Sequence, residues 1–220
     1  MYTVAEENYI KSIYHLQRHQ KSVHTNDLAA ELQTRPASAT DMIKKLEAKG
    51  LLKYEKYYGC SLTRTGKKLA LGIIRRHRLW EFFLSEKLGF GWEEVHAVAE
   101  QLEHVQSDLL TDKLDAFLGF PRFDPHGDPI PDPSGNMAAR EQTALSNWAE
   151  QLPAEVCGVG SQDESFLEML SLKKLEMGSR LTVLRHFNFD KTVELQLATG
   201  ASFTISEMLA KNIFVKPIEA

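Results

Sequence analysis

Residues 25–50 read TNDLAAELQTRPASATDMIKKLEAKG, two short helical segments around a tight polar turn. Thr25, Asn26 and Asp27 carry the side-chain oxygens that cap helix N-termini, and the first helix is expected to run to Leu32. Gln33-Thr34-Arg35 makes the turn. Pro36 fits the first turn of the second helix, where a missing N–H costs nothing. That helix is expected to reach Lys49, with Ala39, Met42, Ile43 and Leu46 facing inward and Gly50 just past its end. Two short helices joined in this way form a helix-turn-helix. The next residues, Leu51 to Thr63, read as a hairpin turning near Tyr58-Gly59, which makes the module winged.

Working outward, Tyr9, Ile10, Ile13, Tyr14 and Leu16 repeat with helical period over residues 4–19. After Thr65-Gly66 a long helix is expected from about Lys67 to Leu88, then one over Trp92–Glu103 and a third to Phe117. Five of the eight prolines fall between Pro121 and Pro133, a stretch that cannot continue a helix and marks a boundary. A short helix is expected near Arg140–Gln151. Beyond it, residues 180–184, 192–197, 202–205 and 213–215 alternate as strands, with turns at Gly178, Asn188 and Gly200. Short strands at this spacing predict a small barrel.

The composition narrows the function classes. A hydrophobic content of 43% is that of an ordinary globular protein. No apolar run approaches transmembrane length, so no membrane partner is expected. The opening residues are too polar for a signal peptide. Cys60 and Cys157 are isolated, which gives no disulfide framework and points to a reducing cytoplasm. The net charge of −4 hides an asymmetry: residues 1–80 carry 15 Lys/Arg against 7 Asp/Glu, and residues 81–220 carry 11 against 23. A cationic first third points to a polyanionic partner for that part.

In a helix-turn-helix the start of the second helix enters the major groove of double-stranded DNA. Here that start is Arg35, Pro36, Ala37, Ser38 and Thr40. Pro36, Ala37 and the Thr40 methyl suit thymine methyls, Ser38 can donate or accept, and Arg35 can read guanine or bind phosphate. Lys44, Lys45, Lys53, Lys56, Arg64 and Lys67 are placed as phosphate anchors, and Thr25 can add a backbone contact.

A second constellation follows. At about 100° per residue, His77 and Glu81 share one helix face, as do His96, Glu100 and Glu103, with His104 at the edge of that arc. Imidazoles and carboxylates without thiolates suit Mn²⁺ or Fe²⁺, and Zn²⁺, Co²⁺ or Ni²⁺ in a test tube. A zinc-protease His-Glu-x-x-His is absent, as are the paired Glu-x-x-His motifs of a di-iron bundle, a nucleophile elbow and a Gly-rich phosphate loop. An enzyme is therefore not expected.

Several strings together resemble the diphtheria toxin repressor and manganese transport regulator family of metal-dependent repressors. They are Glu7 to Tyr14, the helix-turn-helix, His77 to Glu81, Leu102 to Asp108, Pro125 to Pro131 and Ile205 to Val215. The resemblance covers essentially the whole chain. It implies a mainly α fold with a small β part: a winged helix-turn-helix over 1–66, a helical metal-binding and dimerisation domain over 67–120, a proline-rich linker and short helix over 121–152, and an SH3-like (FeoA-like) β-barrel over 153–220. It implies a homodimer on a palindromic operator, repressing metal-uptake genes when metal is bound. It also implies an activating site of Asn8, Glu100, Glu103 and His104, and a second site of His77, Glu81 and His96. The SH3-like domain often completes the second site, and here Asp163 and Glu164 are the candidates. Three positions depart from the family pattern. Position 8 is Asn rather than Asp or Met, position 100 is Glu where iron-type members have Cys, and position 11 is Lys where compact manganese regulators have a bridging Glu. A metal-independent or small-ligand-gated winged-helix regulator is the alternative reading, with a metalloenzyme or storage protein behind it.

Overall fold

The structure is a computed structural model that describes residues 2–218. These residues form two compact units. The first contains residues 2–77, 100–117 and 131–137; the second contains residues 78–99, 118–130 and 138–218.

In the first unit, α1 (Val4–Leu16) opens with a capping box. The Glu6 amide donates to Thr3 Oγ1 at 3.3 Å and the Thr3 amide to Glu6 Oε2 at 3.0 Å, which satisfies N–H groups that no helical carbonyl can reach. Helices α2 (Thr25–Glu31) and α3 (Pro36–Ala48) form the helix-turn-helix, with Pro36 in the first turn as the sequence requires. The cap of α2 falls on His24 rather than on Thr25. Its neighbour Val23 is fixed in extended form by paired backbone hydrogen bonds with Cys60, so the helix turns in one residue earlier. Strands β1 (Leu52–Glu55) and β2 (Gly59–Leu62) form the wing in antiparallel register. Gly59 holds φ at +95°, and a Cβ there would meet the Val23 carbonyl oxygen at 2.4 Å, so no other residue fits this corner. Ile10, Ile13, Leu28, Ile43, Leu46 and Leu51 are fully buried in one core. Each contributes roughly 1.5–3 kcal/mol of burial.

Helix α4 (Arg64–Leu88) is continuous through 25 residues. Helix α5 (Val95–Leu102) is shorter than the sequence periodicity predicts, so Glu103 and His104 lie in the turn before α6 (Asp108–Phe117) rather than on the helix.

The second unit is built on an antiparallel six-stranded sheet in the order β3-β8-β4-β5-β6-β7. The strands are β3 (Thr143–Ala144), β4 (Pro153–Val159), β5 (Arg180–His186), β6 (Val193–Leu197), β7 (Ser202–Ile205) and β8 (Ile213–Pro217). The sheet ends at β3 and β7, which do not pair with each other, so the expected barrel is an open SH3-like sheet. Residues 140–151, read from sequence as a short helix, carry β3 and a 3₁₀ turn at Leu145–Asn147. Helices α7 (Glu164–Leu172) and α8 (Glu207–Lys211) complete this unit. Val156, Val183, Leu195, Leu167, Leu170 and Ile213 are among its buried core.

Candidate functional site

Arg75, Arg76, His77 and Arg78 are consecutive on α4 and all buried. Successive helical side chains point about 100° apart, so each meets a different acceptor. Arg75 pairs with Asp112 at 3.2 Å and Asp115 at 2.8 Å. Arg76 Nη2 donates to Glu7 Oε1 at 3.0 Å, and its Nε donates to the Glu103 carbonyl at 2.5 Å. His77 Nδ1 meets Glu103 Oε2 at 2.6 Å. In the second unit, Arg78 faces Asp124 at 3.4 Å and Asp128 at 3.2 Å, and donates to the Pro129 carbonyl at 2.6 Å.

Within the first unit these contacts build a centre around Glu103, which is wholly buried. His77, Glu100 and Glu103 each offer a ligand atom within 4.8 Å of the others. His104 Nδ1 meets Glu7 Oε2 at 2.6 Å, which leaves Nε2 turned towards Glu103 Oε1 at 3.7 Å. A carboxylate holding one imidazole nitrogen while the other faces a carboxylate cluster is the way proteins orient a metal-binding histidine. Lys11 Nζ reaches Glu100 at 2.5 Å and both Glu103 oxygens at 2.7 and 2.8 Å. Burial pushes the Glu103 carboxyl up, but the His77 hydrogen bond and the Lys11 charge outweigh it and hold it below the ordinary range. Among the described residues Asn8 Oδ1 is buried with no hydrogen-bond partner, an acceptor with unused capacity on α1.

The second unit contains another cluster of this chemistry: Glu81, Asp124 and His126, all buried, with ligand atoms within 4.8 Å. His126 Nε2 lies 2.7 Å from the Trp92 carbonyl. A carbonyl only accepts, so Nε2 carries the proton and Nδ1 faces Glu81 at 3.7 Å. Asp124 Oδ1 accepts from the His126 and Asp128 amides at 2.9 Å each. Burial, Glu81 and Asp128 together push the Asp124 carboxyl up to about 7, against the opposing charges of Arg78 and His126. Burial lowers the His126 pKa, but the Glu81 carboxylate overrides it and the net shift is upward. Gly127, at φ +80°, brings this loop so near β4 that a Cβ would meet the Cys157 carbonyl at 2.2 Å.

The structure therefore gathers Glu100, Glu103, His104 and His77 in the first unit, and sets His96 Nδ1 3.2 Å from Glu81 in the second. His77, grouped by resemblance with Glu81 and His96, touches Glu103 and also stands one helical turn before Glu81 on α4. Glu7, Lys11, Asp124 and His126 were not read from sequence as site residues. An acid–imidazole pair at Asp124-Pro125-His126 was the available signal for the last two. Asp163 caps α7, its side chain accepting from the Phe166 amide.

On the helix-turn-helix, Arg35, Pro36, Ala37, Ser38 and Lys44 are exposed. Thr25 and Thr40 are half-buried, and the Thr40 hydroxyl donates to the Pro36 carbonyl at 2.9 Å. Lys45 reaches back to Glu6 at 3.1 Å, beside Lys49 at 2.6 Å. Lys56 Nζ lies 5.1 Å above the Tyr57 ring at the wing tip.

Residues 1–60 match the family description "Iron dependent repressor, N-terminal DNA binding domain", and residues 63–132 match "Iron dependent repressor, metal binding and dimerisation domain". The chain belongs to the iron-dependent repressor family. The family is one of transcriptional repressors, not of enzymes, and includes the manganese regulators. A manganese-dependent transcriptional repressor solved with manganese is 34% identical, with a TM-score of 0.84 over 97% of this chain and 100% of that one. The regulator MntR of Lysinibacillus sphaericus is 38% identical over 104 residues, 47% of this chain and 74% of its own. The iron-dependent repressor IdeR of Mycobacterium tuberculosis is 34% identical over 125 residues, 57% of this chain. That match spans about half, 54%, of the IdeR length. No helix among the described residues is long and apolar enough to cross a membrane.

Proposed function

We propose that this protein is a metal-activated repressor that binds a palindromic operator as a homodimer in the cytoplasm and controls metal-uptake genes. The observation that carries this reading is the meeting of α1, from the DNA-binding module, with the Glu100–His104 turn of the dimerisation helices in one buried carboxylate–imidazole centre. We assign residues 1–66 to DNA, 67–120 to metal and dimerisation, 121–152 to the linker, and 153–220 to the SH3-like part.

The donor set fits a divalent first-row ion: buried Glu103, half-buried Glu100 and His104, and the unused Asn8 carbonyl. With Glu in place of thiolate at position 100, manganese suits it better than iron does. A bound ion supplies a charge that carboxylates and imidazoles from separate elements can share. Glu100, Glu103, His104 and Asn8 hold the activating position. Glu7 orients His104. Glu81 and His96, with Asp124 and His126 beside Glu81, hold the supporting one, and His77 backs Glu103 in the first unit. Ordering α1 against the dimerisation helices fixes the recognition helices for successive major grooves, about 34–36 Å apart. Arg35, Pro36, Ala37, Ser38 and Thr40 read bases, while Thr25, Lys44, Lys45 and Lys56 hold phosphates.

A gel-shift titration on the upstream DNA of the chain's own gene, with and without Mn²⁺ and Fe²⁺, tests the reading. Operator binding that rises with either ion supports it. Equal binding in a chelator favours the metal-independent regulator.

A further inference from the structure

Lys11 stands where the centre's charge is densest. Its ammonium lies within 2.8 Å of three carboxylate oxygens from Glu100 and Glu103, and its side chain is only 12% exposed. An ammonium has three donors, and here all three have acceptors. Divalent first-row ions sit about 2.0–2.2 Å from carboxylate oxygens, within the volume the ammonium already takes. An ion bound between the same faces of Glu100 and Glu103 would need the space that the ammonium now fills. Arg76 does not compete in this way, because its bonds go to Glu7 and to the backbone carbonyl of Glu103.

We propose that Lys11 is a tethered counter-ion of the metal-free centre, and that its departure from Glu100 and Glu103 sets the metal concentration at which the protein responds. The inference rests on Glu100 and Glu103 being ligands of the activating ion. In the metal-free protein the ammonium sits between two carboxylates that would otherwise repel each other and offsets one of their two charges, and it ties α1 to the α5–α6 turn. A ligand whose site is open only part of the time binds with an affinity reduced by the open fraction. A lysine at position 11 therefore makes the sensor less sensitive, and a neutral residue of similar length makes it more so.

The test uses the full chain. Metal-free and Mn²⁺-loaded protein are treated briefly with acetic anhydride, and acetylation of Lys11 is followed by peptide mass spectrometry. Lys11 should label slowly without metal and several-fold faster with it, while Lys53, exposed on the wing, labels equally in both. Mn²⁺ affinity, measured by competition with a fluorescent chelator, should be about tenfold tighter in Lys11→Met than in the wild type, the equivalent of one modest ion pair. Lys11→Gln serves as a second neutral variant, and if neither folds, the labelling of wild-type protein decides. Unchanged Lys11 labelling, or Mn²⁺ affinity in a folded neutral variant equal to or weaker than wild type, overturns the proposal. Glu103→Ala separates the two readings. If it binds Mn²⁺ like the wild type, the site assignment itself fails; if it loses an ion while Lys11 labelling is indifferent to metal, only the role of Lys11 fails.

Discussion

The two acid–imidazole centres use the same donor types in opposite electrostatic settings. Around Glu103, Lys11 and His77 supply positive charge directly to the carboxylate and hold its proton affinity down. Around Asp124, two further carboxylates, Glu81 and Asp128, crowd a fully buried acid, and Arg78 and His126 compensate only in part, so its proton affinity rises to about 7. The first centre sets cations against its carboxylates, and the second raises the affinity of Asp124 and His126 for protons. On the proposed reading, an ion entering the first displaces a cation, and one entering the second below about pH 7 displaces protons. Ligand identity alone does not distinguish these cases; the residues that hold the ligands do.

The largest contrast is expected in DNA binding. Glu103→Ala or His104→Ala should abolish metal-stimulated operator binding while leaving a folded dimer. His126→Ala or His77→Ala should weaken it by 10–100-fold at most, the usual effect of losing a supporting group at a metal site (about this range). Fluorescence anisotropy at fixed Mn²⁺ would show it, and a larger loss from His126→Ala would reverse the roles given to the two centres.

Metal-free stability should respond with opposite sign at the two centres. Glu103→Gln leaves Lys11 and His77 without their buried carboxylate and should cost about 3–5 kcal/mol, as for breaking one side of a buried pair. Asp124→Asn keeps the Oδ1 acceptor for the His126 and Asp128 amides and removes a charge, so it should stabilise the protein at pH 8 and do little at pH 4. The sign follows from linkage. Asp124 and His126 both have raised affinities, so the folded chain binds more protons than the unfolded chain between the ordinary Asp value and the raised ones. Their contribution to stability is present at low pH and is lost as pH rises through about 7. Glu6 behaves in the opposite way. Held down to about 2, chiefly by Lys49, it contributes above the ordinary Glu value and loses that contribution as pH falls towards 2. Urea melts of metal-free wild type and Asp124→Asn at several pH values would reveal the crossover, and parallel curves for the two proteins would remove the contrast.

Part of the first centre was legible in the sequence: spacing put Glu100 near Glu103 and His104, although the last two lie in the turn after α5 and not on the helix from which they were read. The helix-turn-helix was legible for the same reason, with Pro36 and Gly50 as punctuation. Periodicity could not show Glu7 holding His104 or Lys11 bridging Glu100 and Glu103, since each contact spans about ninety residues of chain. Nor could it show Asp124 and His126 as partners of Glu81, because a proline-rich loop has no period from which to place its side chains. The strands from Arg180 onward stood out by alternation. β4 did not, because Pro153, Gly158 and the register shift between Val156 and Gly158 break its pattern. The barrel expectation assumed closure, and closure depends on pairing between end strands, which no single strand's sequence records.

Smaller differences separate neighbouring lysines on the DNA-facing module. Lys44 is exposed, whereas Lys45 is also engaged with Glu6. Lys44→Ala and Lys56→Ala should each reduce the log–log salt slope by about 0.9, the effect of one lost phosphate contact, and Lys45→Ala by less. Ser38→Ala should instead change the preferred sequence, at about 1–3 kcal/mol on the best site. Binding to operator and scrambled duplex across a salt series separates these outcomes. Equal losses on both duplexes for Ser38→Ala would remove it from the reading surface.

The central claim is that the buried centre on α1 and the α5–α6 turn takes a divalent ion. Anomalous diffraction at the manganese edge from Mn²⁺-grown crystals of the full chain tests it most directly. The account predicts a peak at ligand distance from Glu103 and His104. Manganese found only elsewhere, with the Glu103 and His104 side chains still held as they are without metal, would contradict it.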